Sequence, residues 1–83
     1  MTILKRWSND TMKYEPYEIP DHWAVTTWGP QDLKINCASC GRRLTVGESY
    51  GSQEIHTKHG VAYAVCEHCH AVEMRRRAEA GRL

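Results

Sequence analysis

Apolar and polar residues alternate with period two through the middle of this chain, and the alternation stops near residue 66. Leu33 and Ile35 alternate with Lys34 and Asn36, which predicts a short strand leading into Cys37. Leu44 and Val46 alternate with Arg43 and Thr45 before Gly47 turns the chain. Gln53, Ile55 and Thr57 then alternate with Glu54 and His56, and Val61, Tyr63 and Val65 with Ala62 and Ala64. With Lys58-His59-Gly60 between them, these two runs predict a β-hairpin that delivers Cys66 to the end of a strand. From Glu67 the residues are mostly good helix formers, including Ala71 to Ala80, and Gly81 follows as a stop, so a helix of about three to four turns is expected. Upstream, Pro16 and Pro20 punctuate Tyr14 to Asp21, an extended segment without helix. The run Trp23-Ala24-Val25-Thr26-Thr27-Trp28 is β-prone and ends at Gly29-Pro30. Beyond two cysteine pairs there is no internal repeat, and no stretch is of low complexity.

At 83 residues there is room for one domain, and a core this small is not comfortably stable by packing alone. The hydrophobic share is 41%, but there is no Phe, and Ala, Cys and Tyr make up much of that share, so a staple is needed. The opening segment has only Ile3-Leu4 before Lys5, Arg6 and Trp7 interrupt, which is not a signal peptide. Nowhere do the roughly 18 uninterrupted apolar residues of a membrane span occur. The expectation is therefore a cytoplasmic protein in a reducing compartment, with free thiols and no membrane partner.

All four cysteines fall in two C-x-x-C pairs, Cys37-Ala38-Ser39-Cys40 and Cys66-Glu67-His68-Cys69, separated by 25 residues. Two residues between thiolates let one tight turn present both sulfurs to one ion, and two such turns complete a tetrahedral shell with no open position. One structural Zn²⁺ on Cys37, Cys40, Cys66 and Cys69 is the reading this spacing carries. Gly41 suits the position after the second thiolate, where positive φ is often needed. Cys69 falls in the first turn of the expected helix, where free amides favour thiolate charge.

Knuckle, hairpin, then a helix carrying the last two ligands is the order of treble-clef zinc fingers. Cys37-Ala38-Ser39-Cys40-Gly41-Arg42 through Cys66-Glu67-His68-Cys69 resembles that group, with LIM-like and DksA/TraR-type fingers among the nearer comparisons. The resemblance covers residues 37 to 81 and identifies a metal-binding superfamily, not an activity. It implies an α+β fold: a treble-clef module over residues 37–83, with residues 1–36 as a β-rich extension packed on it.

Other chemistry on these residues has less support. Iron can be held by the same four thiolates, and the sequence does not separate the two metals, although zinc is the commoner occupant of paired knuckles. A redox C-x-x-C lacks its βαβ setting. Cys66-Glu67-His68-Cys69-His70 spells a haem-attachment motif, with Met74 as second axial ligand, but that reading leaves Cys37 and Cys40 unexplained. His68 and His70 flank Cys69 and could replace a thiolate, but four cysteines already complete the shell. Val65 to His70 is also similar to the segment closing the zinc site of HNH nucleases. That family's catalytic pair would lie between the two cysteine pairs, where only Glu54, His56 and His59 occur, and no Asn follows Asn36. Asp21-His22 precedes Cys37, the wrong order, so the chain is read as non-catalytic.

Charge leaves the partner open. Residues 1–36 carry four basic and five acidic side chains and residues 37–83 seven and five, and a four-thiolate zinc site would bring the second half to about zero. Arg75, Arg76 and Arg77, with Arg82 beyond and Arg42-Arg43 at the knuckle, are the candidate phosphate contacts of a DNA- or RNA-binding finger. At about 100° per residue three consecutive arginines fan around a helix, and Arg76 lies on the side of Cys69 and Val72, so its stem is expected to pack on the domain. Glu73 and Glu79 are within one turn and can pair with the arginines at the surface. The aromatics Trp7, Tyr14, Tyr17, Trp23 and Trp28 form the other candidate surface, since such side chains anchor protein interfaces. An exposed tryptophan surface would also allow self-association. The preferred expectation is an adaptor, regulator or inhibitor that binds another protein, of the kind common among bacterial and bacteriophage accessory proteins. A nucleic-acid-binding finger is the alternative, and a degenerate nuclease relative comes third.

Overall fold

In a computed structural model, residues 2–81 are described. Arg82 lies outside these residues. Strands β1 (Thr2–Ser8) and β2 (Lys13–Ile19) form a hairpin whose turn holds Met12 at φ 57°, with the Met12 N–H donating to the Ser8 carbonyl at 2.8 Å. Strands β3 (Lys34–Asn36) and β4 (Arg43–Thr45) make a second hairpin. Strands β5 (Tyr50–His56) and β6 (Ala62–Val65) make a third, and helix α1 (Glu67–Glu79) follows. Among the described residues the six strands lie in two antiparallel sheets, one ordered β2-β1-β5-β6 and the other β3-β4.

The N-terminal hairpin is continuous with the main sheet, because β1 pairs with β5 at Lys5 with His56 and Arg6 with Ile55. Pro16 suits β2 to the sheet edge, where a missing N–H breaks no ladder. Period two on this hairpin sends Leu4 and Ile19 inward and leaves Ile3 and Tyr14 exposed. The core joins Leu4, Ile19, Ile35, Leu44, Val46, Ile55 and Val65 to Cys37, Cys66 and Cys69, so three of the four cysteines sit inside the apolar cluster. Helix α1 begins at Cys66 as its N-cap, and Gly81, at φ 70°, donates its N–H to the Ala78 carbonyl at 3.0 Å. No helix among the described residues is long and apolar enough to cross a membrane.

The structure departs from the pattern in three places. Trp23 to Trp28 is not a strand: Asp21–Trp23 is a 3-10 turn and the following residues are irregular. Strand propensity expresses packing on a pleated surface, and Trp23 finds its packing elsewhere, on the cysteine turn. The segment still borrows one sheet-like bond, from the Ala64 N–H to the Val25 carbonyl at 2.8 Å.

Strand β5 breaks its alternation. Its register against β6 shifts between Gly51, opposite Ala64, and His56, opposite Ala62, so Glu54 and Ile55 are both buried. The Ser52 hydroxyl organises the irregularity by accepting the Glu54 and Ile55 N–H groups at 3.0 and 2.7 Å.

Glu73 is fully buried and is not a surface partner for the arginines. Its carboxylate accepts from the Ser52 hydroxyl at 2.8 Å and the Gln53 N–H at 3.0 Å, which satisfies donors that the bulge frees from the ladder. Burial pushes the Glu73 carboxyl above the ordinary glutamate value, partly offset by these two donors.

Candidate metal centre

The first cysteine pair sits on the loop of the β3-β4 hairpin. The Cys37 N–H donates to the Arg42 carbonyl at 2.8 Å, the Gly41 N–H returns to the Cys37 carbonyl at 2.9 Å, and the Asn36 amide donates to the Gly41 carbonyl at 3.0 Å. This tight turn aims backbone amides at the Cys37 sulfur: those of Ser39 and Cys40 lie 3.4 Å away, and that of Cys66 lies at 3.3 Å. Gly41 closes the turn at φ +81°, and a Cβ there would stand 2.3 Å from Cζ2 of Trp23. Both the backbone angle and the indole therefore require glycine. Gly41→Ala is expected to lower stability by about 2 kcal/mol or more and to weaken metal retention at least tenfold. A chelator-competition titration measures the second quantity, and an unchanged affinity would mean that the turn tolerates a side chain.

The second pair is placed by a different device. β6 ends at Val65, Cys66 caps α1, and Cys69 lies in the first turn, where the His70 N–H closes on the Cys66 carbonyl at 2.9 Å. The four sulfurs all lie within 4.8 Å of one another, and Cys40 Sγ is 3.8 Å from Cys66 Sγ. An ion bonded tetrahedrally at about 2.3 Å to each sulfur sets its ligands about 3.8 Å apart, so the cluster has the size of a single metal site.

The cluster would need a cation only if its sulfurs were all ionised. Burial acts to push up the Cys37 thiol, but the amides of Cys40, Cys66 and Ser39 outweigh it and hold the thiol below its ordinary value. Burial pushes Cys40 and Cys69 upward. Four thiolates at this spacing cannot share a buried site without a compensating charge, which a dication supplies. Cys37, Cys66 and Cys69 are buried and Cys40 is exposed.

The N-terminal hairpin holds the first cysteine turn from outside. Arg6 donates to the Ser39 hydroxyl at 3.1 Å, and its guanidinium lies 4.6 Å above the Tyr17 ring. The Tyr17 hydroxyl is 3.3 Å from the carbonyls of Ala38 and Ser39, and the Ala38 N–H donates to the Ala64 carbonyl at 2.9 Å. Burial foremost raises the Tyr17 hydroxyl above the ordinary tyrosine value, so it is a donor at neutral pH. Nothing in the sequence near Arg6 marks it as a support of the site. Its role depends on the register that pairs Arg6 with Glu15 and Leu4 with Tyr17.

The other sequence candidates are dispersed. His68 is exposed, and His70 stacks on Tyr50 with ring centroids 4.6 Å apart. His56 Nε2 lies 3.1 Å from the Gln53 carbonyl, and its ring is edge-on to Tyr14. Glu54 is buried and paired with Arg76. Among the described residues the four cysteines are the only group of three or more metal-capable side chains.

The arginines do not form one surface. Arg75 is exposed, Arg76 is bonded to Glu54, and Arg77 donates to the Gln53 carbonyl at 3.3 Å. Arg42 and Arg43 are exposed and border a small cleft that also contains Glu48 and Glu67. The aromatics divide as well. Trp7 is buried, Tyr17 and Trp23 are half-buried against the cysteine turn, Tyr14 is partly exposed, and Trp28 is 81% exposed.

Comparison with protein-family models, with curated proteins and with solved structures finds none that matches this chain.

Proposed function

We propose that this chain is a treble-clef-like protein stapled by one zinc ion and that it acts without catalysis, as an adaptor, regulator or inhibitor that binds another protein. The order of cysteine turn, hairpin and ligand-bearing helix supports the treble-clef reading, and four sulfurs at tetrahedral spacing support zinc.

Trp28 carries the functional reading. It is the most exposed large hydrophobic side chain among those of the described residues, at 81%, and Leu33 beside its loop is also exposed. The Val25 carbonyl tethers the loop to β6, and the Trp28 N–H reaches the Thr26 hydroxyl at 3.4 Å. A tethered loop presents an indole with little ordering cost, which is the property of an interface anchor. The nucleic-acid reading rests on Arg42, Arg43 and Arg75, because Arg76 and Arg77 are engaged with β5.

Affinity capture from native lysate with zinc-loaded protein, with and without nuclease, separates the two. A stoichiometric protein partner is expected to survive nuclease and to bind Trp28→Ala about 30-fold more weakly, the scale of an interface hot spot. Capture that vanishes with nuclease, or collapses steeply with salt, would replace this reading with phosphate recognition by the arginines.

A further inference from the structure

The outer face of the main sheet carries a groove that neither the metal centre nor the Trp28 loop uses. β1 meets β5 at Lys5 and Arg6, but Lys5 is opposite His56, the last residue of β5. Residues Thr2 to Leu4 therefore run on past the end of β5 while the chain turns back through 57–61. A groove of about 580 Å³ is lined there by β1, β2 and residues 57–59. Ile3, Tyr14 and Pro16 form its apolar floor, and Ile3 is 64% exposed. Lys5, Lys58 and His59 stand around it. Glu15 also borders the groove, and its carboxylate accepts from the Thr11 hydroxyl at 3.0 Å.

We propose that this groove is a docking site for an extended segment of a partner protein that presents an apolar side chain flanked by acidic residues. The inference deepens the protein-binding reading and rests on it. Three features select this occupant. The groove's lining follows β1 from Ile3 to Lys5 and β2 from Tyr14 to Pro16, a strand-wise track that suits an extended chain. The floor is apolar and open. The two lysines around it outnumber the single carboxylate, which complements acidic flanks. Pro16 in β2 disfavours adding a strand at the β2 edge, and the apolar lining favours side-chain docking in the groove.

The test is an NMR titration of the isotope-labelled, zinc-loaded full chain with acetyl-Asp-Glu-Leu-Glu-Phe-Glu-Asp-amide, and with the same peptide carrying Lys at every acidic position. Saturable shifts at Ile3, Lys5, Tyr14 and Lys58 with the acidic peptide alone are expected. K5E combined with K58E, both at exposed positions, should weaken binding about tenfold without changing the rest of the spectrum. Equal binding of the basic peptide, shifts elsewhere, or no shifts would overturn the inference. Shifts at these residues on simple concentration without peptide would assign the groove to a second copy and overturn it as well. If the peptide fails while nuclease-resistant, Trp28-dependent capture persists, the groove proposal falls and protein binding stands. If capture fails too, both fall.

Discussion

Cys66→Ser is expected to unfold β5, β6 and α1 together, and with them the N-terminal hairpin. Cys66 supplies a sulfur 3.8 Å from that of Cys40, caps α1, and donates its N–H to the Cys37 sulfur at 3.3 Å. On the proposed zinc reading, losing its thiolate removes one of the four ligands, and three cannot close the tetrahedral shell that staples the fold. Structural zinc sites in small peptides contribute about 10–16 kcal/mol of apparent binding energy at neutral pH. A domain of this size has a total stability of about 5–15 kcal/mol, so no other term can replace that contribution. The β1-β2 hairpin cannot persist alone, since an isolated hairpin is marginal in water and its Arg6 and Tyr17 are anchored to the cysteine turn. Far-UV circular dichroism and metal analysis check the variant, and a chelator on the native chain should reproduce the loss and zinc reverse it. A folded, metal-free Cys66→Ser protein would show that packing suffices and that the cluster is not structural.

Arg76→Ala is expected to lower stability by about 3 kcal/mol, the low end for breaking a buried ion pair because the Arg76 side chain is 38% exposed. Its partner sets the scale: Glu54 is 1% exposed, one oxygen is bonded to Arg76, and Oε2 has no hydrogen-bond partner among the described residues. Removing the guanidinium leaves a carboxylate in the core, beside the buried Glu73, without its bonded partner. Denaturant unfolding of the zinc-loaded protein measures the change. Pairing Arg76→Met with Glu54→Leu should recover most of the loss, because an apolar pair needs no partner there. If Arg76→Ala is as stable as the native chain, the guanidinium is not structural, and the helix arginines regain their standing as phosphate contacts.

What local chemistry can specify was legible in the sequence. Cys-x-x-Cys spacing, Gly41 after the second cysteine, the alternation ending at Val65 and the helix formers before Gly81 each act over a few residues, and together they marked the four-cysteine cluster, the β5-β6 hairpin and α1. The packing of Arg76 was legible for the same reason, since helical period alone sets which side of α1 it shares with Cys69. Residues whose roles depend on distant partners were not. Ile3 and Leu4 give too short a signal to announce β1, which exists because β2 and β5 flank it. Glu73 carries no mark of burial, and it is internal because the bulge at Ser52 leaves donors that a carboxylate can satisfy. Trp23 and Trp28 share one β-prone hexapeptide, yet one covers Gly41 and the other stands in solvent. Propensity and spacing are properties of a segment, whereas burial, register and the completion of hydrogen bonds belong to the assembled chain, and these decided which of the candidate residues hold the fold and which stand exposed.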